Sequence, residues 1–354
     1  MKAKSMTGAM AQIVMVAAIV LANSVQAADG KAVAYVSNQK GGVTVIALDT
    51  LTPVGSIDTG GKEPRGVGIT NDGKYLLTAN KGDGAMSVID TATLKLIKRI
   101  PIGKNPEFVR VRGNRAYVSY EPSAGDGKPD AKKDGKDDDD DKKTPAGIAV
   151  IDLKLWKVIK TMTSGPETEG IEFSPNGKLM LVTNEGDNTI TIYDTATTKL
   201  LRTIKTDDYG SRPRGVKVSP DGKLYAVTLE FSAKLLILDS DLNVVKTIST
   251  GKSPYGVAFD RKSERLFVAA SGDKELQVFD TKSFDLIKSV PVGDRCWHFT
   301  FTPDDARIVL ACGKSNDLHI VDAQTYETVG VVPGLQTPWG IVTYPKALGS
   351  LDQP

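Results

Sequence analysis

A phrase of roughly forty residues that recurs along the chain is the strongest constraint on its fold. It comprises a Gly/Pro turn, an apolar run, a short turn such as Asn-Asp-Gly-Lys, and a second apolar run. A polar loop, a third run closing on aspartate and a fourth run follow. The clearest copy spans 61–103, GKEPRGVGITNDGKYLLTANKGDGAMSVIDTATLKLIKRIPIG. The closing aspartates are Asp49, Asp90, Asp152, Asp194, Asp239, Asp280 and Asp322, spaced by 41, 62, 42, 45, 41 and 42 residues. Each unit holds four short β-rich runs. Glycine in Asn71-Asp72-Gly73, Pro175-Asn176-Gly177 and Pro220-Asp221-Gly222 supplies the positive φ that closes the first turn. Four strands per unit at this period predict an all-β, seven-bladed β-propeller. AVAYVSN near the start matches a second strand, and PWGIVTYP near the end matches a first strand. The N- and C-terminal strands therefore share one blade, which leaves no open edge.

The segments outside the repeat have their own signatures. Lys2 and Lys4, an apolar Met10–Ala22 broken only by Gln12, and Val25-Gln26-Ala27 read as a signal peptide over 1–27, cleaved after Ala27. The apolar run is too short to span a bilayer, so a periplasmic chain with no membrane span after processing is expected. The propeller is expected over 28–345, with a C-terminal tail over 346–354. The full chain carries 45 basic and 43 acidic residues; losing Lys2 and Lys4 makes it formally neutral. Neutrality argues against nucleic acid as a partner, and a monomer is expected. The one long spacing comes from EPSAGDGKPDAKKDGKDDDDDKK. A segment this polar cannot bury a core, so 121–146 is expected to be a disordered insertion. Its run Asp137, Asp138, Asp139, Asp140 and Asp141 is a weak candidate for a divalent metal such as Ca²⁺, or for steering a basic partner.

In a propeller the loops entering the first strands converge on the central channel. Aligning the units before the Gly-Val step selects Arg65, Glu107, Glu169, Arg214, Tyr255, Trp297 and Trp339. Arg65 and Arg214 suit a carboxylate or phosphate, and Tyr255, Trp297 and Trp339 suit a planar ring, so a small planar acidic ligand satisfies both. The alternative is a solvated mouth with the arginines paired to Glu107 and Glu169. One position further on, five units have glycine, one has Phe108 and one has His298. Glycine implies close backbone approach, so an imidazole there is expected to point where there is room. His298 could be a metal or haem ligand, a proton donor, or a residue bonded to a neighbouring blade.

Cys296 and Cys312 flank the turn Pro303-Asp304-Asp305 symmetrically. In an exported protein they are expected to form a cross-strand disulfide. A Cys296, His298, Cys312 copper or zinc site is the alternative.

TANKGDGAMSVIDTAT, VTNEGDNTITIYDTAT, AASGDKELQVFDTKS and AYVSN resemble the repeat of the YVTN family of bacterial β-propellers. The resemblance covers nearly the whole chain after the signal. It implies an exported binding or scaffold module, because members of that family usually act so. Some members resemble propellers linked to catabolism by the quinone cofactor PQQ, and DRCWHFTFTPD at 294–304 looks most like that group. Others resemble the haem d1 domain of nitrite reductase, whose usual form adds a Cys-x-x-Cys-His motif absent here. PQQ, haem or a divalent metal are the cofactors so implied, and a cytochrome or a quinoprotein dehydrogenase the protein partners.

No Gly-x-Ser-x-Gly elbow, phosphate loop or His-Glu-x-x-His motif is present. A non-catalytic binding propeller is the leading reading. A sparse-site lactonase- or lyase-like enzyme using His298 with Glu107 or Glu169 is the second.

Overall fold

The computed structural model describes residues 31–121 and 145–353. The expected signal peptide, the run Asp137–Asp141 and nearly all of the inserted segment lie outside the described residues. Twenty-eight strands form seven four-stranded antiparallel sheets. Pro338–Tyr344 pairs with Val33–Asn38, so the last strand is the innermost strand of the first blade, as the termini predicted. Cys296–Cys312 is a disulfide joining facing residues of Cys296–Phe301 and Arg307–Cys312.

The period-marking aspartates have a local cause. Each accepts backbone N–H groups of the turn that follows its strand. Asp90 Oδ1 takes Thr93 N at 2.8 Å, Asp152 Oδ1 takes Leu155 N at 2.8 Å, and Asp322 Oδ1 takes Thr325 N at 2.8 Å. The aspartate side chain thus adds to backbone closure of the same turn, where Trp156 N donates to Asp152 O at 2.8 Å and Tyr326 N to Asp322 O at 3.0 Å.

The inner strands are Pro64–Ile69, Pro106–Arg112, Thr168–Phe173, Pro213–Val218, Pro254–Phe259, Cys296–Phe301 and Pro338–Tyr344. Each inner strand pairs with the next strand of its blade through a register shift near its start. Glycine follows the shift because neighbouring blades nearly touch there. A Cβ on Gly66 would lie 2.4 Å from Glu107 O, and one on Gly215 would lie 2.4 Å from Tyr255 O. Phe108 and His298 break this rule, and both are buried among the rings of the channel.

The tail is part of the fold. After Tyr344, residues 345–353 turn into the lower end of the channel and run antiparallel to Cys296–Phe301. Phe301 N donates to Leu348 O at 2.8 Å, and Ser350 N donates to Phe299 O at 2.9 Å. Leu351 is fully buried in the central apolar cluster with Tyr255, Trp339 and Phe108.

Candidate functional site at the channel

Three layers of side chains fill the channel. The upper one, where the inner strands begin, holds the predicted ring. Arg65 Nη1 lies 2.6 and 2.5 Å from the Glu107 carboxylate oxygens, and Lys81 Nζ is 3.6 Å from the same group. Arg214 lies 3.6 Å from Glu169, 2.9 Å from Glu185 Oε2 and 2.7 Å from Glu230. Its guanidinium carbon sits 4.1 Å from the Tyr255 ring centroid, and that of Arg65 lies 5.9 Å from Trp339. Trp297 is half-buried and lies over Gly313 of its own blade. Both arginines are thus already engaged by carboxylates, in the paired arrangement.

The layer contains more charge than the first-strand alignment selects. Arg212 reaches Glu185 at 2.7 Å and Glu230 at 3.3 Å, and Arg295 reaches Glu230 at 3.2 Å. Glu185 and Glu230 each directly follow a second strand, as do Lys81 and Glu121. Aligning the units at that second position as well would have found them.

Among the described residues, Glu107, Glu121, Glu167, Glu169, Glu185 and Glu230 face Arg65, Lys81, Arg212, Arg214 and Arg295. Removing carboxylates from water favours their protonated form. Burial raises Glu169 and raises Glu185 well above the usual range, with Arg214 opposing in both cases. Burial, reinforced by Glu107, Glu169 and Glu167 and opposed by Lys81, lifts Glu121 to about 8. A carboxyl raised in the folded state stabilises most below its unfolded value of about 4.5, and that stability is lost as pH rises to about 8. Glu121→Gln is therefore expected to flatten the fall in unfolding free energy between pH 5 and pH 8. Urea titrations at the two pH values check this, and an unchanged slope contradicts it.

The middle layer is aromatic. His298 is 3% exposed, and its ring centroid lies 4.4 Å from Trp339, 5.2 Å from Tyr255 and 6.4 Å from Phe108. The imidazole therefore points into packed rings rather than open space. Its Nδ1 is hydrogen-bonded to Ser350 Oγ of the tail at 3.0 Å, while Nε2 is buried without a partner. Burial, reinforced by the charges of Arg214 and Lys217, pushes its pKa well below the ordinary value and keeps it neutral. The disulfide commits both cysteines, so the Cys296, His298, Cys312 metal set is overturned. Among the described residues, no group of three or more His, Cys, Asp or Glu side chains could hold a metal ion.

The lower layer is a buried ion network closed by the tail. Arg110 binds Glu172 at 2.9 Å and Asp352 at 2.6 Å; Lys217 binds Glu172 at 3.1 Å; Lys346 binds Asp352 at 2.9 Å. Among the described residues, no helix is long and apolar enough to cross a membrane.

Comparison with known proteins places this arrangement. A segment of 137 residues is 26% identical to the seven-bladed beta-propeller protein Rv1057 of Mycobacterium tuberculosis, covering 37% of this chain and 30% of that protein. The chain thus spans about three tenths of the length of the curated relative it matches. The fold resembles the periplasmic gluconolactonase PpgL of Pseudomonas aeruginosa, with a TM-score of 0.71 at 15% identity, covering 88% of this chain and 98% of that one. It also resembles the dihydro-heme d1 dehydrogenase NirN in complex with DHE, with a TM-score of 0.63 at 15% identity over 88% of this chain and 74% of that one. At such identities the likeness is one of fold. Residues 7–112 and 144–282, well over half of the sequence, match the family described as Cytochrome D1 heme domain, and it is to this family that the chain belongs.

Proposed function

We propose that this chain is an exported, non-catalytic binding propeller serving a haem- or quinone-dependent redox system, with the upper channel mouth as its binding face. The observation that carries the reading is His298. A buried imidazole nitrogen without a hydrogen-bond partner is costly, and ligation or a ligand hydrogen bond would offset that cost. The donor set has the chemistry of a site for a planar, carboxylate-bearing group, and binding one would require Trp339 and Tyr255 to move off His298. His298 Nε2 offers a metal ligand, Tyr255, Trp297 and Trp339 offer ring contacts, and Arg65 and Arg214 offer carboxylate partners. Haem bound there would supply redox-active iron. The chain's own residues would hold the group, keep water from one side, and give up Glu–Arg pairs to its carboxylates. Burial raises Glu169 and Glu185, which weakens their hold on Arg214.

The quinone version rests on the same arginines and on the YVTN-type repeat with DRCWHFTFTPD. A cytochrome or a quinoprotein dehydrogenase is then the partner, and the N-terminal segment directs the chain to the periplasm. A second reading is a lactonase-like enzyme using His298 with Glu107 or Glu169; the depressed pKa of His298 makes it a weak base and counts against this reading.

Titration of the purified chain with haem and with PQQ, followed by absorbance, separates these readings. Saturable binding of one of them, lost or spectrally altered in His298→Ala, is expected, with no turnover of gluconolactone. Lactone hydrolysis abolished in His298→Ala, or no binding of either cofactor, overturns the proposal.

A further inference from the structure

We propose that the lower end of the channel carries a second, independent site, which binds a small organic anion through Arg112. A cavity of about 250 Å³ opens beside the tail, lined among others by Arg110, Arg112, Phe173, Arg261 and Gln353. It lies where the inner strands end, at the opposite mouth from the Arg65–Trp339 ring.

Among the described residues, cations outnumber carboxylates around this cavity. Arg110, Lys217 and Lys346 are buried with only Glu172 and Asp352 between them. Glu172 meets Arg110 and Lys217 and accepts Phe173 N at 2.7 Å through Oε1, while its Oε2 makes the ion pair with Lys217 without a hydrogen bond. Arg261 is matched by Asp305. Asp221, on the adjoining turn, is held by Ser219 and Lys223. Arg112 adds a further cation with no carboxylate partner among the described residues; its guanidinium carbon stands 5.2 Å from the Phe173 ring centroid. A guanidinium stacked this way is held in place while its N–H groups stay free at the edge of the plane. Arg110, itself only 4% exposed, keeps Nε without a hydrogen-bond acceptor.

An Arg112 without a carboxylate partner among the described residues and an orphaned Arg110 N–H beside a cavity select an oxyanion, because guanidinium binds carboxylate and phosphate oxygens in pairs. The cavity is smaller than a typical drug-sized pocket. Phe173, Val218 and Leu348 give it an apolar wall. A short carboxylate or phosphate ester matches both features. This site differs from the upper mouth in residues and in ligand size.

Calorimetric titration of the full chain with succinate and with inorganic phosphate tests the assignment and distinguishes the two anion types. Saturable binding of at least one probe is expected, weakened at least tenfold in Arg112→Gln. Arg112 has no ion pair to lose among the described residues, so that variant should fold normally. Gln353→Glu, which places a negative charge in the cavity, should weaken binding in the same direction, while Arg99→Gln on the outer rim should leave it unchanged. No binding of either probe, or equal affinity in wild type and Arg112→Gln, overturns the proposal.

Discussion

Asp352→Ala is expected to cost about 3–5 kcal/mol of unfolding free energy, the usual penalty for removing one partner of a buried pair. Among the described residues, Asp352 is the sole carboxylate partner of Lys346 and one of two for Arg110. All three side chains are largely out of water, so the cations left behind would be neither paired nor solvated. Burial alone would raise the Asp352 carboxyl, yet Lys346 and Arg110 hold it below the usual range, so the pair is charged at neutral pH. Its contribution is present above about pH 4 and is lost as pH falls further. Urea unfolding at pH 7 measures the effect. A loss below about 1 kcal/mol would mean the tail is only draped on the channel. Because the tail also carries Ser350 and Leu351, loosening it should disturb His298 from below.

Arg214→Ala should be comparably severe, at about 3–5 kcal/mol, and more so at high pH. Arg214 lies between Glu169, Glu185 and Glu230 and covers the Tyr255 ring. Without it the carboxyls must ionise against one another or stay protonated. Protonation becomes harder as pH rises, so the loss should be larger at pH 8 than at pH 5. Paired urea titrations at the two values check the sign; equal losses would contradict the charge-ring account. A consequence for functional work is that lost ligand binding in Arg214→Ala does not identify a ligand contact, whereas Trp297→Ala leaves the ion network intact.

The fold was legible because its cause is local and repeated. The Asp–turn hydrogen bond is written at nearly the same place in every unit and a hairpin glycine in four of them, with Ser263 and Asp305 taking its left-handed place in two others. The shared first blade was legible for the same reason. The ring Arg65, Glu107, Glu169, Arg214, Tyr255, Trp297 and Trp339 was legible as positions, since every inner strand presents the same position of the repeat at the mouth. What those side chains do was not legible from the first-strand alignment. Arg65 and Arg214 are paired by acids from different loops: Glu107 is in the ring, but Glu185 and Glu230 follow second strands and come together only when the ring closes. The tail has no repeat to align with, so nothing in its sequence announced that it enters the channel and meets His298 and Arg110. Glycine at five of seven positions did signal close backbone approach, and Gly66 and Gly215 meet neighbouring carbonyls as that predicts. The same signal misled about His298. The space at this position is filled by Trp339, Tyr255 and the tail, so the imidazole is packed rather than open.

The central claim is that the upper mouth holds a redox cofactor. The most direct measurement is an absorbance spectrum with native mass analysis of the protein purified, without chelator, from its own cells. A stoichiometric haem-type or quinone chromophore, perturbed in His298→Ala, is the predicted result. A colourless protein of bare polypeptide mass that hydrolyses a sugar lactone would contradict it.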